Sequence, residues 1–263
     1  MTEQGGATPR PLALITGGWR RIGAAIATTL AADGWDLALH AHHPSAFDLA
    51  LENKLSALGA RVRGISGDLA DSGYVGRAVR DTALEWAKPP TLLVNCASLF
   101  RDDTIADVTA AGLHETLAVN LAAPILLTRH FAEVLSEAEA GVSGSVVMIL
   151  DQRVRNPVPD QLSYTLSKQA LYQSVRTLAR SLAPRVRVNG VAPGLVLPTP
   201  DYGEDQWRRL GEMMPLGRLA EPTEIASAVA WLARAGAVTG QTIFVDGGAS
   251  LESWPRDFVY LGK

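Results

Sequence analysis

The sequence predicts a single α/β domain: a doubly wound, parallel, seven-stranded sheet with helices packed on both faces. Short apolar, β-branched runs recur along the chain, and Ala/Leu-rich stretches with a 3.6-residue period lie between them. The 263 residues, 47% hydrophobic and 19% charged, suffice for one full core without disulfide or metal support. Strand followed by helix, repeated, means right-handed βαβ crossovers that bury the strands between two helical layers. Strands buried on both faces read as continuous apolar runs, as these do.

In chain order, the first strand is Leu12 to Ile15, and the turn Thr16-Gly17-Gly18-Trp19-Arg20-Arg21-Ile22-Gly23 opens a helix over Ile22 to Ala32. Trp35 to Leu39 and Val62 to Ile65 supply two strands, and Tyr74 to Trp86 a helix that Asp71-Ser72 can cap. Leu92 to Val94 is the fourth strand, Leu113 to Leu135 a long helix, and Val146 to Leu150 the fifth strand. Tyr164 to Leu182 is helical, Val186 to Val188 a strand, Glu221 to Ala233 helical and Thr242 to Val245 the last strand. From about Pro193 to Gln206 the residues Pro193, Gly194, Pro198 and Pro200 oppose regular structure. A loop this long at the carboxyl end of a strand is expected to cover substrate, within a segment of about 193–215. The domain spans 11–252, with 1–10 expected to be disordered and 253–263 a C-terminal tail. Neither a repeat nor a low-complexity linker divides it.

Composition narrows the partners. With 24 basic and 27 acidic side chains, net charge −3, the chain lacks the basic field of a nucleic-acid or membrane-surface binder. A single cysteine, Cys96, excludes an internal disulfide and a CxxC pair. The first residues have no apolar signal core, and no stretch of ~18 uninterrupted apolar residues suggests a membrane span, so a cytoplasmic protein is expected. His40, His42 and His43 cluster, but a strand sends 40 and 42 to one face and 43 to the other, and no carboxylate or thiol completes a metal site.

The glycine turn after the first strand lets backbone N–H groups meet a pyrophosphate at a positive helix end. Alone it is a weak signal, because any tight turn favours glycine. It gains weight from an ordered set: Asp68-Leu69 after the third strand, Asn95-Cys96-Ala97-Ser98 after the fourth, Asn120 in the long helix and Tyr164-x-x-x-Lys168. Pro193-Gly194 after the sixth strand and Asp246-Gly247-Gly248 after the seventh complete it. Tyr164 and Lys168, four apart on a helix, share a face, and an ammonium near a phenol whose ordinary pKa is about 10 favours the phenolate. The bland alternative is a half-buried tyrosine beside a solvated lysine. No acidic residue ends the second strand to repel a 2′-phosphate, and Arg20 and Arg21 sit where cations oppose the helix dipole unless an anion joins them. These features favour NADPH.

The set resembles the short-chain dehydrogenase/reductase family from Leu12 to about Leu251, and hence a Rossmann-like domain. Within it the chain is most similar to the pteridine and dihydromonapterin reductases. Arg21 replaces the glycine usual before Ile22, Asp151 stands thirteen residues before Tyr164 where most members carry serine, and Asn95-Cys96-Ala97-Ser98-Leu99-Phe100 is similar to a run whose aromatic ring stacks on pterin. Cys96 and a second strand longer by one residue depart from the pattern.

The resemblance implies catalytic roles for Asp151, Tyr164, Lys168 and Asn120, with Lys168 also holding the nicotinamide ribose and Asn120 supporting a water relay. It implies cofactor contacts from Gly17, Arg20, Arg21, Ile22, Gly23, His42, Ser45, Asp68, Leu69, Asn95, Ala97, Ser98, Pro193 and Gly194. Substrate would meet Ser98, Phe100, Asp151, Tyr164 and Leu195. Asp151 can supply a proton to ring nitrogen or merely orient Tyr164. The tail, with Trp254, Arg256, Phe258 and Tyr260, can pack on its own subunit or reach a neighbour's site in a homotetramer, Arg256 being the foremost contact. The expected function is NADPH-dependent reduction of a pterin, dihydropterin to tetrahydropterin, with the oxidised pterin as a further substrate. The alternatives are a carbonyl reductase of another ketone, such as a 3-oxoacyl thioester, and a non-catalytic NADPH-binding sensor or scaffold. Intact Tyr164, Lys168 and Asn120 speak against the last.

Overall fold

A computed structural model describes residues 10–139 and 141–263. Seven strands form one parallel sheet in the order β3-β2-β1-β4-β5-β6-β7. They are β1 (Leu12–Thr16), β2 (Asp36–Ala41), β3 (Val62–Ser66), β4 (Leu92–Asn95), β5 (Gly144–Ile149), β6 (Val186–Pro193) and β7 (Thr242–Val245). The crossovers are α1 (Arg21–Ala32), α2 (Leu49–Ala57), α3 (Ser72–Trp86), α4 (Ala110–Leu117) and α5 (Ala123–Glu137), then α6 (Leu162–Leu182), α7 (Glu204–Met213) and α8 (Pro222–Arg234).

Strand alternation divides the core in two. Ala13 and Ile15 point toward α1 and α8, where Ile26, Leu30, Ile225 and Val229 close one layer. Leu12 and Leu14 point toward α3, α5 and α6, where Val79, Leu127, Phe131 and Val175 close the other. Each such side chain, fully buried, contributes about 1.5–3 kcal/mol of hydrophobic stabilisation. A third, smaller cluster of Leu210, Met214, Ala249 and Phe258 lies under α7 and the C-terminal tail.

Several expected boundaries move. The sixth strand runs on to Pro193, because buried Asn189 completes its hydrogen bonding by donating to Val238 O (2.9 Å) and accepting from Gln241 N (3.1 Å). Regular structure resumes at Glu204, so the loop expected from about Pro193 to Gln206 is confined to 194–203 and followed by α7. The long helix expected over Leu113 to Leu135 is two helices joined by a π-helical turn, Ala118–Ala122, with Pro124 in the first turn of α5. The whole run Ala110–Glu137 is long and apolar enough, by composition, to cross a bilayer. It serves as a core helix here, for Leu127, Phe131 and Leu135 are buried in the second layer while Arg129 and His130 both bond Glu133 on its outer side.

The expected disordered segment 1–10 lies outside the described residues except for Arg10, which donates to the carbonyls of Ala31 (2.7 Å) and Trp35 (3.2 Å). All seven strands end at one edge of the sheet, and the strand order reverses direction between β1 and β4. That reversal opens the crevice where open α/β sheets take ligands.

Candidate active site

On one side of the crevice the site is made of backbone. Thr16 ends β1, and its Oγ1 accepts from Cys96 N (2.9 Å) and Ala97 N (3.0 Å), tying the glycine turn to the end of β4. Gly17 is left-handed (φ 65°), and a Cβ there would stand 3.1 Å from Ala97 Cα. At Gly23 a Cβ would stand 2.1 Å from Gly17 O, so turn and helix can approach only with glycine. Trp19 pins the turn from beneath, its Nε1 donating to Leu39 O at 2.8 Å. Helix α1 starts with no side-chain cap and no acidic residue in its first turn. Its first N–H groups therefore face the crevice as a ready anion site. Arg20 and Arg21 are exposed beside it, with Ile22 half-buried. Arg21 itself is left-handed (φ 54°), a conformation costing a non-glycine residue about 1–2 kcal/mol.

The second-strand histidines separate. His40 is buried with Nε2 3.0 Å from Gly67 O, and burial lowers its pKa against that backbone contact. His42 lies beyond the end of β2 at Ala41 and is exposed, Nδ1 3.8 Å from Asp68 Oδ1. The expected common face for 40 and 42 is thus corrected: strand alternation stops before residue 42. Ser45 is exposed in the short helical turn Pro44–Ala46, Asp68 accepts from Ala70 N (2.8 Å), and Leu69 is buried. Asp71, as expected, caps α3. Among the described residues, no group of three or more His, Cys, Asp or Glu is placed to hold a metal ion.

On the other side the site is made of side chains, most of them buried. Asn95 is buried at the end of β4, Ser98 is exposed, and Phe100 stands out at 58% exposure, edge-on to the Tyr164 ring at 4.7 Å. Asn120 occupies the π turn, where Oδ1 accepts from Leu99 N (2.7 Å) and Nδ2 donates to Leu99 O (2.9 Å) and Ser167 Oγ (3.0 Å). It clamps the loop carrying Phe100 to the helix carrying Tyr164.

Asp151 lies two residues beyond β5. Its Oδ2 accepts from Tyr164 OH at 2.8 Å, and its Oδ1 accepts from Arg153 N at 2.9 Å. Lys168 is buried one helical turn beyond Tyr164, its Nζ donating to Ile149 O (2.8 Å) and standing 5.6 Å from the Tyr164 ring centre. The net shift of the phenol runs opposite to that expected from the lysine alone. Burial, reinforced by the charge of Asp151 and the hydrogen bond to it, pushes Tyr164 well above the ordinary range. Burial also pulls Lys168 down to about 8, against the opposing field of Asp151.

Sequence reasoning missed the group beneath this pair. Arg153 is only 5% exposed, yet it reaches Asp151 Oδ1 through Nε (3.3 Å), Gln161 Oε1 (3.1 Å) and Thr165 Oγ1 (3.4 Å) through NH1, and Asp257 Oδ2 (2.6 Å) through NH2. Burial alone would lower its pKa; the charges of Asp151, Tyr164 and Asp257 outweigh that and hold the guanidinium above the ordinary arginine range. Gln161, left-handed at φ 47°, precedes α6, and its strain is tolerated because Leu162 N and Ser163 N both bond to buried Asp103 (2.9 and 3.0 Å). The signal available in the sequence was a charged Asp151-Gln152-Arg153 run directly after an apolar strand.

The remaining expected residues are distributed more loosely. Pro193 ends β6, and Gly194 lets the chain pass Asp246, whose Cα would meet a Cβ there at 2.8 Å. Leu195 packs on the cluster under α7 with Tyr202 and Trp254. The tail folds onto its own subunit: Phe258 is buried in that cluster, and Arg256 pairs with Asp160 (2.7 Å) and lies 4.2 Å over Tyr260. Within the subunit, Arg256 thus makes contacts of the first expected placement, its side chain still about half exposed.

A family model described as enoyl-(acyl carrier protein) reductase matches residues 18–250. Among solved structures, the chain resembles FolM alternative dihydrofolate reductase 1 from Brucella canis, complexed with NADP. The TM-score is 0.84 at 36% identity, over 95% of this chain and 98% of that one. It also resembles a short-chain dehydrogenase/reductase from Burkholderia xenovorans, with TM-score 0.83 at 30% identity over 94% and 100%. A granaticin polyketide synthase ketoacyl reductase from Streptomyces violaceoruber is 32% identical, over 92% of this chain and 96% of the relative.

Proposed function

Because the chain belongs to the short-chain dehydrogenase/reductase family of oxidoreductases, we propose that it is an NADPH-dependent reductase of a pterin, taking a dihydropterin, and the oxidised ring too, toward the tetrahydro form. The observation that carries this reading is the carboxylate of Asp151 hydrogen-bonded to the Tyr164 hydroxyl, with the exposed ring of Phe100 beside them. A carboxylate accepts from ring N–H and amino donors, which pterins present, whereas a ketone offers only an acceptor. The likeness to the Brucella dihydrofolate reductase, solved with NADP, supports it.

The open, acid-free start of α1 and the glycine contacts at 17 and 23 fit a pyrophosphate. Arg20, Arg21, His42 and Ser45 would face a 2′-phosphate. Asp68 and Leu69 would border the adenine, and Asn95, Ala97, Ser98, Lys168, Pro193 and Gly194 the nicotinamide half. When bound, NADPH supplies the hydride. Phe100, Ser98 and Leu195 hold the substrate ring against it, and Tyr164 with Asp151 assists delivery of the proton to the ring nitrogen of the reduced C=N bond. Lys168, at an ammonium pKa of about 8, remains cationic at neutral pH and bonds Ile149 O beside Tyr164. A homotetramer working in the cytoplasm belongs to the same proposal, with the groove between α5 and α6, lined by Ile125, Ala132, Leu178 and Leu182 together with Arg129 and Glu133, as a candidate contact between subunits.

The likeness to a ketoacyl reductase favours a second reading, reduction of a 3-oxoacyl thioester or similar ketone. A panel following NADPH loss with dihydrobiopterin, dihydromonapterin, dihydrofolate and several ketones separates the two. Turnover of ketones with none of any pterin would reject the first reading.

A further inference from the structure

A buried arginine between two carboxylates needs a reason, since desolvating three charges is costly unless their geometry is tightly satisfied. Each nitrogen of the Arg153 guanidinium has a separate partner. NH2 is taken by Asp257, NH1 by Gln161 and Thr165, and only Nε faces Asp151, at a long 3.3 Å. The guanidinium carbon lies 5.1 Å from the Tyr164 ring centre and 5.7 Å from that of Phe100. An arginine free to choose would present Nε and NH2 side by side to both oxygens of one carboxylate. Here that fork is split, one prong to Asp151 and the other to Asp257. The split leaves Asp151 Oδ2 to the phenol of Tyr164.

Asp257 is held in place by the tail. Its own N–H donates to Asp160 Oδ2 (2.7 Å), its Oδ1 accepts from Val259 N (3.0 Å), and Gln206 of α7 donates to the carbonyls of Val259 (3.0 Å) and Leu261 (2.7 Å). We infer that Arg153 is a positioning residue for the Asp151–Tyr164 pair, and that Asp257, from the C-terminal tail of the same subunit, sets it by keeping NH2 away from Asp151. The tail thereby shapes the reacting geometry from within its own chain. The inference rests on Tyr164 and Asp151 forming the reactive pair, and not on pterin being the substrate.

The experiment is a double-mutant cycle of Asp257→Asn and Arg153→Met in the full chain, with Asp257→Glu as the conservative variant. The assay uses whichever substrate of the panel above the wild type reduces. Asp257→Asn is expected to lower kcat roughly tenfold to a hundredfold, the scale of a small misplacement at a reacting centre, with KM for NADPH within twofold. Asp257→Glu should recover most of the loss, and Asp257→Asn should add nothing in an Arg153→Met background. A readout free of substrate is the ¹³Cζ resonance of Tyr164, assigned by its loss in Tyr164→Phe, which should move in Asp257→Asn and return in Asp257→Glu. A wild-type kcat in Asp257→Asn, an equal loss with and without Arg153, or an unmoved Tyr164 resonance overturns the inference. A chain that reduces ketones and no pterin leaves it standing while rejecting the substrate proposed above.

Discussion

The two walls of the crevice are built on opposite principles. The wall at α1 is backbone shape: glycines admitting close approach, uncapped N–H groups and two exposed arginines. The wall at β5 and α6 is buried charge, with Arg153, Lys168 and Asp257 withdrawn from water and Asp151 half-buried beside them. A ligand can be held by the first wall with little rearrangement, because its donors are already aimed outward. The second wall stores its cost in advance, as desolvation. It teaches that binding and chemistry are separable here, and variants should divide accordingly.

The largest separation is expected at Tyr164→Phe, which deletes the hydroxyl bonded to Asp151. Turnover should fall about 10²-fold or more, the usual worth of general acid catalysis, while NADPH binding followed by fluorescence stays near wild type. Retention of more than about a tenth of the turnover would give the proton to another group.

Lys168 sharpens the contrast through stability. Its ammonium, ordinarily at 10.5, is lowered to about 8 by burial. Between those values the unfolded chain binds the extra proton, so stability rises with pH across that window and the penalty is fully present below pH 8. At about 1.4 kcal/mol per pH decade, the penalty is up to about 3 kcal/mol. Lys168→Met should therefore abolish activity yet raise stability to denaturant at pH 7, an advantage that shrinks as pH approaches 10.5. Equal stability of the two proteins at pH 7 contradicts this.

On the backbone wall, Arg21→Ala is expected to cut the preference for NADPH over NADH roughly tenfold to a hundredfold, the value of one charge-assisted contact. The ratio of kcat/KM for the two cofactors measures it, and equal use of NADH by the wild type would refute it. The smallest effect expected is the stability gain of Arg21→Gly, about 1 kcal/mol from releasing the left-handed strain at φ 54°. A lower melting temperature in that variant would locate a structural role for the side chain.

The same division decided what could be read from the sequence. Glycines 17 and 23 and the Tyr164–Lys168 pair act over a few residues, so their spacing displays them. Arg153 and Asp257 are 104 residues apart, and nothing local in the tail marks Asp257 as the partner of a buried arginine. Helices α2 and α7 escaped for a different reason. Only Leu55 is buried in the first, which shows no apolar stripe of a core-facing helix; the second carries a short one, Trp207, Leu210 and Met214, but directly after a proline-rich stretch that reads as irregular. The strands and the long helices were legible because both layers of the core use fully apolar faces. The pKa of Tyr164 was not, since spacing places Lys168 near the ring but says nothing of how far both are withdrawn from water.

The π turn at Ala118–Ala122 bears on how this chain tolerates changes of length. A π turn holds one residue more than the α-helical turn it interrupts, so removal of a single residue there restores a regular helix while α4 and α5 keep their present faces toward the core. Leu127 and Phe131 would stay buried, whereas Asn120 would lose the outward bulge that lets it span Leu99 and Ser167. Elsewhere along these helices the loss of one residue turns every later side chain by about 100° and dismantles a core layer. The segment carries one residue that the fold does not require, and it is spent on the crevice.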